Sequence, residues 1–81
     1  MTRVEALEKI LDLLTKERDF RNDMAEEYEF KNTRKKSSYY ADMAFFNRKK
    51  AIDTCDLIDV CLEMMEEERV KEMANGEHEA R

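Results

Sequence analysis

Residues 41–65 read ADMAFFNRKKAIDTCDLIDVCLEMM. Inside this stretch, positions 41, 44, 48, 51, 55, 58, 62 and 65 advance by three and four residues in turn, the rhythm of a coiled-coil-like helix seam. They carry Ala41, Ala44, Arg48, Ala51, Cys55, Ile58, Leu62 and Met65. The seam is small at its start, which lets a neighbouring helix come close, and bulky at its end, with one polar interruption at Arg48. Leu57, Val60, Cys61 and Met64 lie off the seam and widen the apolar surface. The pattern predicts a long helix over residues 39–74. Asn75-Gly76 is a stop signal, because Gly takes positive φ without steric cost, and residues 77–81 are expected to fray.

Upstream of that helix, Asn32-Thr33-Arg34-Lys35-Lys36-Ser37-Ser38 is the one polar, Ser/Thr/Asn-rich run in the interior. It predicts a turn over 32–38, with Ser37 or Ser38 capping the second helix by accepting a free backbone N–H. The competing reading is one uninterrupted helix, since Lys and Arg are good helix formers. Further back, Thr2 and Glu5 have the spacing of a capping box. A first helix is therefore expected over about 3–35. Val4, Leu7, Leu11 and Leu14 line one face of it, and Ile10 and Leu13 widen the stripe. After the polar run at residues 15–19 the stripe resumes as Phe20, Met24, Ala25 and Tyr28. Asp23 and Glu26 have the spacing of a second cap, which would break the helix near 19–23. With no Gly or Pro there, at most a bend is expected. The reading is all-α: a single domain over residues 1–76, folded as an antiparallel hairpin of two long helices.

Composition agrees. The 81 residues include no Pro and only Gly76, while 43% are charged and 42% apolar. A β domain needs turn chemistry every ten residues or so, and this chain has almost none. No stretch is long or apolar enough to span a membrane, and the N-terminus lacks the apolar core of a signal peptide. A cytoplasmic protein is expected, with Cys55 and Cys61 as reduced thiols packed as small apolar residues.

Two helices of roughly 50 Å bury one narrow seam against each other. Ile10, Leu13, Phe20, Phe45, Phe46, Leu57, Val60 and Met64 are left on the flanks. Each exposed Leu or Phe forgoes about 1.5–3 kcal/mol of burial. Self-association is therefore expected, as a four-helix bundle dimer or a higher closed homo-oligomer, with the helix of a partner protein as the alternative cover.

Charge is unevenly spread. Residues 31–50 carry seven Lys/Arg against one Asp/Glu, within a chain of net charge −5. This basic island comprises Lys31, Arg34, Lys35, Lys36, Arg48, Lys49 and Lys50, interleaved with Phe30, Tyr39, Tyr40, Phe45 and Phe46. Cations beside aromatics suit phosphate contact and base stacking. The island is one candidate binding site, for a short anionic or nucleotide ligand or an acidic protein patch. The acidic remainder would repel a long duplex. The plain alternative is aromatic core filling under a solvated basic surface.

The second candidate is an acidic stripe, Asp53, Asp56, Asp59, Glu63, Glu66 and Glu67, whose three- and four-residue spacing puts them on one helix face. Such a stripe can imitate a run of phosphates and occupy a nucleic-acid-binding partner, steered by charge. Small inhibitors from phages and mobile elements work in this way. Paired carboxylates can also hold Mg²⁺. Asp56-Leu57-Ile58-Asp59-Val60 is similar to half of the metal motif of all-helical nucleoside-triphosphate pyrophosphohydrolases of the MazG type. The other half, Glu-Glu-x-x-Glu, is absent, since Glu26-Glu27 is followed by Phe30. The plain alternative is again a solvated face.

Catalytic equipment is sparse. His78 is the single histidine and lies in the expected tail, which leaves no imidazole base for Ser37 or Ser38. One Gly cannot build a phosphate-binding loop. The expected function is non-enzymatic and needs no cofactor: a helical protein that binds itself and engages and modulates a macromolecular partner. Nucleotide or nucleic-acid binding at the basic island and Mg²⁺-dependent nucleotide hydrolysis are the alternatives.

Overall fold

The computed structural model describes residues 1–79, with side chains through Ala74. Helix α1 spans Arg3–Arg34 and helix α2 spans Ser38–Glu79. They fold back on each other as an antiparallel hairpin, a rod 69 Å long and 17 by 13 Å across. Neither helix is long and apolar enough, among the described residues, to cross a membrane.

Helix α1 begins at its expected cap. Thr2 is extended, its Oγ1 accepts the Glu5 N–H at 3.1 Å, and its carbonyl accepts the Ala6 N–H at 3.0 Å. The helix continues through residues 19–23 without a break. It ends at Lys35, which turns extended while its N–H still reaches the Lys31 carbonyl at 3.0 Å. Lys35, Lys36 and Ser37 make the turn.

Two expectations at the helix ends are corrected. Among the described residues neither Ser37 nor Ser38 accepts a backbone N–H through its hydroxyl. The turn is closed instead by Asn32, whose Oδ1 accepts the Ser37 N–H at 2.9 Å. So short a turn brings the last full turn of α1 within reach of the first amides after it. At the other end, α2 runs through Asn75-Gly76 to Glu79, with no positive φ among the described residues. Glycine permits a left-handed stop without imposing one. Inside a helix it costs about 1 kcal/mol relative to Ala, which a long uninterrupted helix tolerates. The frayed segment expected over 77–81 is therefore helical to Glu79. Residues 80 and 81 lie outside the described residues.

The seam between the helices is regular on both sides. On α1 it comprises Val4, Leu7, Leu11, Leu14, Arg18, Arg21, Ala25, Tyr28 and Asn32, all buried or half-buried. On α2 it comprises Tyr40, Ala44, Asn47, Ala51, Thr54, Ile58, Cys61, Met65 and Glu68. Both sets follow unbroken three–four alternation, as side chains of a left-handed pair must.

Half of the expected α2 seam is thus in place: Ala44, Ala51, Ile58 and Met65 are buried. The other half is shifted by one residue. Ala41, Cys55 and Leu62 are exposed, with Tyr40, Thr54 and Cys61 in their places, and Asn47 stands where Arg48 was expected. Arg48, expected as the polar interruption, is half-buried beside the seam. The apolar character of Cys55 favours the wrong neighbour there, because Thr54 looks unfit for burial, and at 47 and 48 both candidates are polar. Local hydrogen bonds make Asn47 and Thr54 fit. Asn47 is 2% exposed. Its Nδ2 donates to the Met43 carbonyl at 2.8 Å and its Oδ1 accepts from Arg21 Nη1 at 3.2 Å. Thr54 donates to the Lys50 carbonyl at 2.7 Å.

The rod is therefore layered. Its open end is apolar, with Leu7, Cys61 and Met65 packed beside Leu11 and Leu14, and Cys61 Sγ donates to the Leu7 carbonyl at 3.3 Å. Its middle is small and polar, built on Ala25, Ala44, Ala51 and the Arg21–Asn47 pair. The register predicts unequal thiols, since Cys55 is exposed and Cys61 buried. A thiol reagent is expected to titrate one cysteine quickly and the second only in denaturant, and Cys55→Ser should remove the fast phase. Two equally fast thiols would refute this register.

Candidate interaction surfaces

With its seam small and polar at mid-length, the hairpin carries its large apolar side chains outside. Leu13 is 68% exposed, Phe45 72%, Ile52 62% and Leu57 55%. They are not scattered. On α1, Ile10, Leu13, Phe20 and Met24 follow three–four spacing one step to one side of the seam. On α2, Met43, Phe46, Leu57, Val60 and Met64 do the same.

Contacts show that these two strips share one broad face. Ile10, Leu57, Val60 and Met64 line a single groove over Leu7, Leu14 and Cys61. Farther along, the Arg21 guanidinium lies 5.6 Å from the Phe20 ring centre and 5.7 Å from that of Phe46. This arginine spans the middle of the face and lends a cation–π contact to both helices. Lys50 Nζ sits 5.5 Å from the Phe46 ring centre. Exposed apolar surface shared by two helices is unusual for an isolated soluble chain and commonly marks an interaction site.

The opposite flank is different. There α1 is polar, and Glu29 and Asn22 hold Arg48. Arg48 Nε and Nη2 donate to the two Glu29 oxygens at 2.9 and 3.1 Å, and Nη1 donates to Asn22 Oδ1 at 3.2 Å. This two-point pairing holds the Glu29 carboxyl below its usual range and raises Arg48 further. Beside it, on α2 alone, Phe45, Ile52, Cys55 and Leu62 form a narrower apolar strip.

The basic–aromatic island divides. Lys31 and Arg34 close α1, Lys35 and Lys36 lie in the turn, and Tyr39 and Tyr40 open α2. Tyr28, Tyr39 and Tyr40 cluster there with ring centres 5.9 to 6.2 Å apart. Several cations already have partners. Lys31 pairs with Glu27 at 3.3 Å, whose hydrogen bond raises the Lys31 pKa, and Arg34 stacks on Phe30 at 5.0 Å. Arg48, Lys49 and Lys50 stand about 15–18 Å up α2 at 1.5 Å per residue, and Arg48 is committed to Glu29. Among the described residues Lys35, Lys36 and Lys49 make no ion pair. Sequence spacing identifies the island, but which cations are already engaged depends on cross-helix contacts it cannot show.

Asp53, Asp56, Asp59, Glu63, Glu66 and Glu67 are all exposed, and none forms an ion pair among the described residues. Asp56, Asp59, Glu63 and Glu66 form the ridge of α2 turned away from α1, while Asp53 and Glu67 sit toward the broad apolar face. On α1, Asp23, Glu26 and Glu27 lie roughly 17–23 Å along the rod from the level of Asp56. No three His, Cys, Asp or Glu side chains among the described residues come together as a metal-ligand group.

Comparison of the chain with models of known protein families, with curated proteins and with solved structures finds no match in any of the three.

Proposed function

We propose that this chain is a non-enzymatic helical binding protein that engages and modulates a macromolecular partner. The observation that carries the reading is the inverted placement of apolar bulk. Alanines, Asn47 and Thr54 fill the middle of the seam, while Phe45, Ile52, Leu57 and Val60 point outward, each more than half exposed.

The surface best suited to a foreign partner is the outer side of α2. There Phe45, Ile52 and Leu62 run beside the acidic ridge of Asp56, Asp59, Glu63 and Glu66. Apolar anchors next to unpaired carboxylates suit an amphipathic segment with basic residues: the anchors supply affinity and the charges supply steering and partner choice. Affinity capture tests this. The chain is expected to retain a basic partner that Ile52→Asp, and separately the pair Asp59→Lys with Glu63→Lys, release at least tenfold. Equal retention by these variants would overturn the assignment of this surface.

A second reading has one observation in its favour. The tyrosine cluster at the turn stands beside Lys35 and Lys36, which makes a small stacking platform with cations at its edge. A short anionic or nucleotide ligand bound there should raise the melting temperature in a way that depends on Tyr40, Lys35 and Lys36.

A further inference from the structure

The broad apolar face is two helices wide, so it can be matched along its whole width by the same face of another hairpin. Its residues also have an internal symmetry. Arg21 meets Asn47 and Leu7 meets Cys61, so residues of the two helices whose numbers total 68 lie side by side. The face is thus described by one coordinate along the rod, with residue 17 of α1 level with residue 51 of α2.

We propose that this face is covered by a second copy of the chain, laid head to tail across a two-fold axis near residues 17 and 51–52. The proposal rests on reading the chain as a binding protein and names its first partner. A two-fold axis lying in the interface across the rods sets α2 on α2 and α1 on α1, each antiparallel. In that register Phe46 comes level with Leu57 of the second copy, Met43 with Val60, and Tyr39 with Met64. On α1, Leu13 comes level with Phe20 of the second copy, and Ile10 falls within one residue of Met24. Every apolar position on the face meets another.

The charges follow the same register. Lys50 and Asp53 both belong to this face and flank the axis, so each comes level with the other in the second copy, giving two reciprocal ion pairs. Lys36 in the turn comes level with Glu67 at the open end. Glu17 approaches its own copy near the axis with its charge already met by Arg21 at 2.7 Å. A side-by-side parallel dimer would instead set two turn regions together, each with seven cations against one acid in residues 31–50.

The area suffices as well. A rod 69 Å by 17 Å offers on the order of 1,000 Å² on one broad face, above the roughly 800 Å² per partner of a standard interface. The foreign-partner strip on the other flank of α2 stays open in this arrangement.

Two measurements on the full chain test orientation and register. With Cys55→Ser in place, a spin label at Ser38→Cys is expected to report a label-to-label distance of about 40 Å at 1.5 Å per residue. A parallel pair would place the labels within about 20 Å, two interaxial spacings. Lys50→Asp and Asp53→Lys are each expected to weaken self-association at least tenfold, and an equimolar mixture of the two variants to restore it, since opposite charges then face each other at both sites. A short label distance, no dipolar coupling because the chain stays single, or a mixture no better than its components would overturn the proposal. Capture by the outer side of α2 reads a different surface, so either result can fail while the other stands.

Discussion

Val60→Glu is expected to break the two-copy assembly while leaving the hairpin folded. Val60 is 51% exposed in the single chain, and Glu is a better helix former than Val. Within one hairpin the change should therefore stay inside the ±0.5 kcal/mol typical of surface positions. In the proposed assembly the same position faces Met43 of the second copy, in an apolar layer with no cation level with it. Desolvating an unpaired carboxylate costs several kcal/mol, and symmetry applies that cost twice. We expect the dissociation constant to rise at least about 100-fold, equivalent to roughly 2.7 kcal/mol. Phe45→Glu is the matched control. Phe45 is more exposed, at 72%, but lies on the other flank, and its replacement should leave self-association unchanged. Dilution measured by light scattering separates the two variants. Equal behaviour, whether both intact or both dissociated, contradicts the assigned face.

Ala25→Leu is expected to have the largest effect on the hairpin itself. Ala25 is 0% exposed and lies level with the buried Ala44, where the seam is built from small side chains. Leu is nearly as good a helix former as Ala, so the local helix has no reason to object. The added side chain must instead force the helices apart, at about 1–3 kcal/mol. For a domain of this size each kcal/mol corresponds to a shift in melting temperature of roughly 4–8 °C. Ala41→Leu provides the contrast, because Ala41 is exposed on α2 and should tolerate Leu with little change. The pair of melting curves, at one chain concentration, distinguishes the seam seen in the structure from the one that apolar spacing alone suggests.

That contrast also locates what could be read from the residues in advance. The all-helical hairpin, the Thr2 cap, the unbroken first helix and the position of the turn are local properties, encoded in spacing and propensity. The α2 seam is not local. Positions 47 and 48 are adjacent and both polar, and only the opposite helix decides between them. Arg21 turns Asn47 inward, and Glu29 with Asn22 hold Arg48 at the edge. The same logic applies to the candidate surfaces. The excess of apolar flank is evident from counting seams, but the meeting of the Ile10–Phe20 strip and the Phe46–Met64 strip on one face follows from how the helices are rotated against each other. For the basic island, spacing identifies the cations, while Glu27, Glu29 and Phe30 determine how many remain available.

Sedimentation equilibrium of the unmodified chain at micromolar concentration asks whether the outward apolar face is an interface between copies. A species of twice the 9.7 kDa chain mass is expected, dissociating on dilution together with a loss of thermal stability. A cooperatively folded species that keeps the single-chain mass throughout that range would contradict it.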